Sequence, residues 1–236
     1  MAGAPLLSIE NLSISLPTAD GGRALAVRGV DIAIGEGEIV GLAGESGSGK
    51  TLSALAALGL LPSGATTGGR VVFDGRELMG EGGRGAAAVR GRDLAMVFQD
   101  PMTALHPMLS VGRQMTEHLV QHRRIGRAEA DRIAIAMLDR VRIPNPKEAM
   151  ARFPHQFSGG MRQRIAIASA LAAGPRLLIA DEPTTALDVT VQAGILRLIE
   201  NLRRELKLSV LLITHDLGVM SALADRVYVM YAGRVV

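Results

Sequence analysis

An apolar stretch running straight into a glycine-rich loop, and from there into a helix, restricts this chain more than any other feature. Glu38 to Ala43 reads as a short strand, Gly44-Glu45-Ser46-Gly47-Ser48-Gly49-Lys50-Thr51 as the loop, and Thr51 to Leu60 has helix-forming composition. The loop fits G-x-x-x-x-G-K-[ST], with the strand before it and the helix after it that the pattern requires. Its glycines let successive backbone N–H groups converge on phosphate oxygens without Cβ collisions, and the helix N-terminus adds partial positive charge. The spacing predicts that Lys50 reaches the β- and γ-phosphates of a nucleoside triphosphate and that the Thr51 hydroxyl takes Mg²⁺.

A second apolar run, Leu177-Leu178-Ile179-Ala180, ends in Asp181-Glu182. Ligands collect at the carboxyl ends of parallel strands, so a buried strand with an acidic end suits a metal–nucleotide site. Asp181 is then expected to bind Mg²⁺. Glu182, pointing elsewhere by strand alternation, is the candidate general base that polarises the attacking water. Phe157-Ser158-Gly159-Gly160-Met161-Arg162-Gln163 precedes a further helix, and Ser158 is a candidate N-cap. Capping does not need two consecutive glycines, so Gly159 and Gly160 are read as a second set of bare N–H donors, a second anion site. One triphosphate has no evident use for two cradles in one molecule. That surplus suggests that each cradle serves half of a shared site.

Organisation and composition narrow the class. Strand-like stretches at Leu6–Leu16, Val27–Ile34, Arg70–Phe73, Leu94–Phe98, Arg176–Ala180, Ser209–Thr214 and Arg226–Tyr231 alternate with helical ones at Gly160–Ala172 and Thr190–Leu206. This alternation argues for an α/β protein with a mainly parallel sheet covered on both faces. Gly80 to Gly85 reads as a loop, and Pro101 to about Phe157 as an inserted helical lobe rich in Arg and punctuated by proline. With 48% hydrophobic residues in 236, the chain can bury a sizeable core. The absence of Cys removes disulfides, zinc-thiolate sites, iron–sulfur clusters and cysteine nucleophiles. Aromatics at 3% argue against stacking surfaces for single-stranded nucleic acid. Net charge is only +3 and no run of like charges forms a binding arm, so no nucleic-acid partner is expected. A spanning helix needs ~20 apolar residues, and Leu52 to Leu61 is interrupted by Ser53 and Gly59. With no basic segment ahead of an apolar one at the N-terminus, the expected location is cytosolic unless another protein holds the chain at a membrane.

Taken in order, the cradle, Gln99 after a strand, Ser158-Gly159-Gly160-Met161-Arg162-Gln163, Ala180-Asp181-Glu182-Pro183-Thr184, Ala186-Leu187-Asp188 and His215 after a strand resemble the nucleotide-binding subunit of an ATP-binding cassette (ABC) transporter. The resemblance runs over essentially the whole chain. It implies a P-loop NTPase cassette with an N-terminal antiparallel β portion and a RecA-like core over about 1–100 and 158–236. A helical subdomain over about 101–157 carries the signature motif at its C-terminal edge. It also implies an ATPase that works as a head-to-tail dimer, with ATP between the cradle of one subunit and Ser158–Gly160 of the other. Gln99 would link Mg²⁺ and water to the helical lobe, His215 would hold the γ-phosphate, and Asp188 would connect the two sites. Within the family, Gln99-Asp100-Pro101-Met102-Thr103-Ala104-Leu105-His106-Pro107 is similar to importers of di- and oligopeptides, nickel and related metal chelates. The implied partners are a second nucleotide-binding subunit, identical or related, two membrane-spanning permeases and, indirectly, an extracytoplasmic solute-binding protein. The implied place is the cytoplasmic face of the inner membrane, as a peripheral subunit.

Family members usually carry an aromatic residue ahead of the cradle that stacks on adenine. Residues 1–50 have no Phe, Tyr or Trp, so aliphatic contacts such as Leu16 or Val27 are expected instead. Peptide importers of this type often continue past the equivalent of Val236 with a regulatory extension, so the expectation here is either a trimmed chain or a short member of the family. Non-transport ABC ATPases are the rival class. Chromosome and break-repair versions place coiled coils between cradle and signature, whereas only 108 residues, without heptads, lead from Lys50 to Ser158. Excision-repair versions need zinc cysteines, and translation factors pair two cassettes. His106, His118, His122 and His155 lack a motif context and read as surface or lobe residues, not metal ligands.

Overall fold

Two antiparallel strands at the N-terminus, β1 (Leu7–Pro17) and β2 (Arg23–Ile34), show how the pattern of apolar residues becomes a core. The computed structural model describes residues 4–79, 84–100, 104–185 and 187–236. Leu7 and Ile9 face inward, and so do Leu12 and Ile14, although the alternation slips by one residue between the two pairs. A bulge absorbs the slip: the register shifts between Ile9 and Leu12, with Asn11 at φ 47° and its N–H donating to Asp31 Oδ1 at 2.7 Å. Without that extra residue the second pair of side chains would turn to solvent. The second strand starts at Arg23, four residues before the expected Val27: Arg23–Leu25 pairs with Ser15–Pro17 as an exposed hairpin arm, where Ala24 and Leu25 do not alternate with polar residues as a half-buried strand would. Its sheet is completed by β4 (Thr66–Phe73) on the other side of β1 and by the two-residue β5 (Arg76–Glu77).

The described chain divides into two compact units, residues up to Arg90 with Ser209–Val236, and Gly91–Leu208. In the first, β3 (Ile39–Gly44) runs parallel to β8 (Ser209–Thr214) on one side and to β9 (Arg226–Tyr231) on the other. A strand with parallel neighbours on both edges is covered on both faces, which is why Ile39, Val40, Leu42 and Ala43 form an unbroken buried run. The short β10 (Arg234–Val235) pairs back on β9. Helix α1 (Lys50–Leu58) follows the glycine loop, α2 (Arg84–Val89) precedes the end of the first segment, and α8 (Leu217–Leu223) joins β8 to β9. The α2 helix begins inside the stretch expected to be loop. Gly80 to Gly83 lie outside the described residues, while Arg84 and Gly85 open the helix, where Ala86-Ala87-Ala88 supplies strong helix formers.

The second unit holds the parallel pair β6 (Leu94–Val97) and β7 (Leu177–Asp181) with helices α3 (Val111–Arg123), α4 (Arg127–Arg140), α5 (Pro146–Ala149), α6 (Gly159–Ala172) and α7 (Val189–Leu206). Both strands are buried along most of their length, and α6 buries Ile165, Ile167 and Leu171. Helix α7 is amphipathic: Ile195, Leu198, Ile199 and Leu202 recur at helical spacing and are buried. Lys207, at φ 53°, ends it. No helix among the described residues is long and apolar enough to cross a membrane.

Candidate nucleotide site

The glycine loop owes its shape to what lies beneath it. Gly44, Gly47 and Gly49 have φ of 151°, 78° and 103°, values that side chains rarely tolerate. A Cβ on Gly44 would collide with the backbone carbonyl of Met230 in β9, and one on Gly49 would stand 2.8 Å from Met230 Cε. The loop is therefore pressed onto β9, and Gly44 and Gly49 are required for close approach as well as for φ, whereas Gly47 faces open space and is required by φ alone. Gly49 caps α1 without a side chain, and the first turn carries no acidic residue, so the positive end of the helix is left for a ligand. Lys50 is buried, with Nζ donating to the carbonyls of Gly44 and Glu45 at 2.8 Å each. Those bonds arch the chain around the ammonium group. Ser48 is buried too, and its Oγ has no hydrogen-bond partner among the described residues. Glu45, Ser46 and Thr51 are exposed at the loop surface.

His215 follows β8 and lines a cavity of about 220 Å³ together with Ala43, Gly44, Glu45, Leu217 and Val229. The sequence-predicted histidine thus lies beside the first residues of the cradle. Asp216, next to it, caps α8 by accepting from the N–H groups of Gly218 (2.8 Å) and Val219 (3.2 Å). The aliphatic residues expected to receive a base fare differently: Leu16 is half-buried, whereas Val27 is fully buried, its Cγ2 3.1 Å from where a Gly49 Cβ would stand. Val27 is a packing residue beneath the loop and cannot present a face to adenine.

In the other unit, β7 delivers Asp181 buried at its end. Glu182 lies outside the strand at φ 45°, so a left-handed turn aims it, not the strand alternation assumed from sequence. Its Oε2 accepts from Gln99 Nε2 at 3.0 Å and from Thr185 Oγ1 at 2.8 Å. The structure thus brings Gln99 and Glu182 together, and adds Thr185, which lies within the motif stretch but had no role assigned to it from sequence. Gln192 was missed as well: its Nε2 donates to the carbonyls of Thr184 (3.2 Å) and Leu187 (3.1 Å), holding the turn before α7. Asp188 caps that helix, Oδ1 accepting from Val191 N–H at 2.9 Å. Ala186 of the same stretch, and Pro101, Met102 and Thr103 after Gln99, lie outside the described residues.

Ser158 is the N-cap of α6, as its position predicts, accepting from Met161 N–H at 3.4 Å. Gly160 has a packing reason besides any ligand: a Cβ there would sit 2.6 Å from Val191 Cγ1 on α7. Gly159 has ordinary room, the same test placing Leu187 Cδ2 at 3.6 Å. Among the described residues no group of three or more His, Asp or Glu side chains is arranged to hold a metal by itself.

A strand, a phosphate-type loop and a helix in one unit, with an acid-ended strand in the other, define a P-loop α/β cassette. The chain belongs to the ABC transporter family, whose sequence model matches residues 27–185, and is a cassette of the ABC ATPase type. It is 48% identical over 98% of its length to the oligopeptide transport ATP-binding protein OppD of Bacillus subtilis. To the dipeptide transport ATP-binding protein DppD of the same organism it is 49% identical over 97% of its length. It spans 65% and 69% of the length of those two relatives. A bacterial ABC transporter cassette solved as a dimer superposes with a TM-score of 0.84 at 28% identity, covering 97% of this chain and 96% of that one. The same cassette in a post-hydrolysis state bound to ADP and Pi gives 0.83 at 28% identity, with the same coverage of both chains.

Proposed function

We propose that this chain is the ATP-binding and ATP-hydrolysing subunit of an ABC importer of di- or oligopeptides. The observation that carries the reading is the likeness, over 97–98% of this chain, to peptide transport ATP-binding proteins, with the Gly44–Thr51 loop, Gln99, Ser158–Gly160, Asp181, Glu182, Asp188 and His215 all present. Gly44, Glu45, Ser46, Gly47, Ser48 and Gly49 cradle the phosphates through backbone N–H groups and Lys50 neutralises them. Thr51, Gln99 and Asp181 are assigned to Mg²⁺. Their hydroxyl, amide and carboxylate oxygens are the hard donors that this ion prefers, and when bound it neutralises charge building on the phosphates.

Glu182 takes the proton of the attacking water. The water oxygen bonds to the γ-phosphorus while the bond to the ADP oxygen breaks, leaving ADP and inorganic phosphate. Hydrogen bonds from Gln99 and Thr185 orient the Glu182 carboxylate for that task. His215, beside Gly44 and Glu45, holds the γ-phosphate. Ser158, Gly159 and Gly160 serve the nucleotide of a second cassette, and Asp188 links the two sites. The relatives solved as dimers support that pairing. The RecA-like core spans about 1–100 and 158–236 and the helical subdomain about 101–157. The partners are a second cassette, identical or related, two permease subunits and an extracytoplasmic receptor that reaches the chain through them. The chain then works as a peripheral subunit on the cytoplasmic face of the membrane. Dimer closure on ATP pushes on the permeases, and product release reopens it.

The experiment is steady-state ATPase activity and ATP binding of Glu182→Gln. Hydrolysis is expected to fall by about 10²–10⁴-fold with ATP affinity retained. A variant that hydrolyses at the wild-type rate removes Glu182 from the general-base role.

A further inference from the structure

None of the residues assigned above recognises the base of the nucleotide. Residues 1–50 hold no aromatic ring, and Val27 is buried beneath the loop. Yet a chain with only four Phe and no Trp keeps two rings stacked at its surface just before the Ser158 cap. Phe153 and His155 have ring centroids 5.9 Å apart and planes 13° from parallel. Both are exposed, Phe153 by 38%. Stacking on each other uses one face of each ring and leaves the opposite face for another ring.

Their mount is built to hold still. Pro154–Gln156 forms a single 3-10 turn in which Pro154 is buried, and Phe157 is buried directly after it. Gln156 Oε1 accepts from Phe153 N–H at 2.8 Å. Arg152 Nη2 donates to the Gln156 carbonyl at 2.7 Å, and its guanidinium lies 4.6 Å from the centre of the Phe157 ring. A planar ligand therefore meets a preformed surface and pays little to order it. The position also suits a base. Ser158 caps α6, whose first N–H groups are assigned above to the triphosphate of a second cassette. Three residues span at most ~10 Å, which keeps His155 near that cap. The ribose and phosphates set the base apart from the γ-phosphate on the same scale. Tyr231, exposed on β9, has no ring stacked on it among the described residues.

We propose that the Phe153–His155 pair is a stacking platform for the adenine of the nucleotide held in the cradle of a second cassette. The inference rests on the shared-site reading given above. The platform supplies, from the other chain, the aromatic face that residues 1–50 lack. Stacking holds a base by its π-face, so a ring is required and apolar bulk does not replace it.

The test uses the full chain as Glu182→Gln, which on that reading retains ATP, and follows ATP-driven dimerisation by light scattering. Adding Phe153→Leu or His155→Ala is expected to raise the ATP concentration for half-dimerisation by about tenfold in each case. Phe153→Tyr, which keeps a ring, and Tyr231→Ala are expected to change it by less than about twofold. ATP affinity of single cassettes, at protein concentrations too dilute for pairing, should be the same in every variant, because the platform serves the other chain's nucleotide. A Phe153→Leu chain that dimerises like its parent shows an apolar contact without stacking and overturns the proposal. So does a loss with Phe153→Tyr as large as with Phe153→Leu, a loss confined to Tyr231→Ala, or weakened ATP binding by the single cassette. A Glu182→Gln chain that does not pair on ATP overturns the shared-site reading itself, whereas pairing that no ring variant weakens overturns this inference alone.

Discussion

Two helices in this protein begin with glycines, and they use them for different physical reasons. At the start of α1, Gly44, Gly47 and Gly49 hold positive φ, the cap has no side chain and Lys50 is buried within the arch. At the start of α6, neither Gly159 nor Gly160 has positive φ, Ser158 supplies a side-chain cap, and Gly160 is required by the nearness of Val191. The first glycines arch the backbone around the Lys50 ammonium group. The second let one helix lie on another while leaving N–H groups uncovered at its tip. Glycine content alone does not separate a cradle from a packing contact; φ and the neighbour of the missing Cβ do.

The contrast is broken most severely by Lys50→Ala. With its ammonium gone the α1 site should lose nucleotide affinity by about 100-fold or more, read by titration with ATP. Unchanged affinity would remove the cradle assignment. Gly160→Ala comes next and should destabilise by about 1–3 kcal/mol through overpacking on Val191. Adding Val191→Ala should recover much of the loss in thermal unfolding, which a backbone-φ requirement would not permit. Gly159→Ala, with its ordinary contact distance, should leave stability nearly unchanged.

Smaller effects sharpen the picture. Ser158→Ala should cost about 1 kcal/mol through loss of the α6 cap, whereas α1 has no side-chain cap to lose. His118 on α3 gives the smallest effect. Burial pushes its pKa below the ordinary 6.5, the Gln114 carbonyl opposes this, His122 adds to the lowering and the Ser169 carbonyl of α6 opposes it again. The unfolded chain therefore binds the proton more readily. The stability contribution is complete above 6.5 and is lost as pH falls below it. Tm should drop on acidification from about pH 7 to about pH 5, and His118→Gln should flatten that slope. A slope that persists in the variant assigns it to other groups.

Local order in the sequence made much of this protein legible: the loop from Gly44 to Thr51, the Asp181-Glu182 strand end, the Ser158 cap, and strand boundaries correct to within a residue or two for most of the parallel strands. Those features depend on neighbours a few residues away, so spacing alone reveals them. Tertiary structure decided the rest. Gly44 must be glycine because the Met230 carbonyl, far along the chain, lies beneath it, and Val27 is buried by the same packing. Glu182 is held by Gln99, 83 residues earlier in the chain, and Gly160 is set by a partner on α7. Each is a contact between segments that the folded chain brings together, and close packing leaves no periodic trace in the sequence from which it can be read.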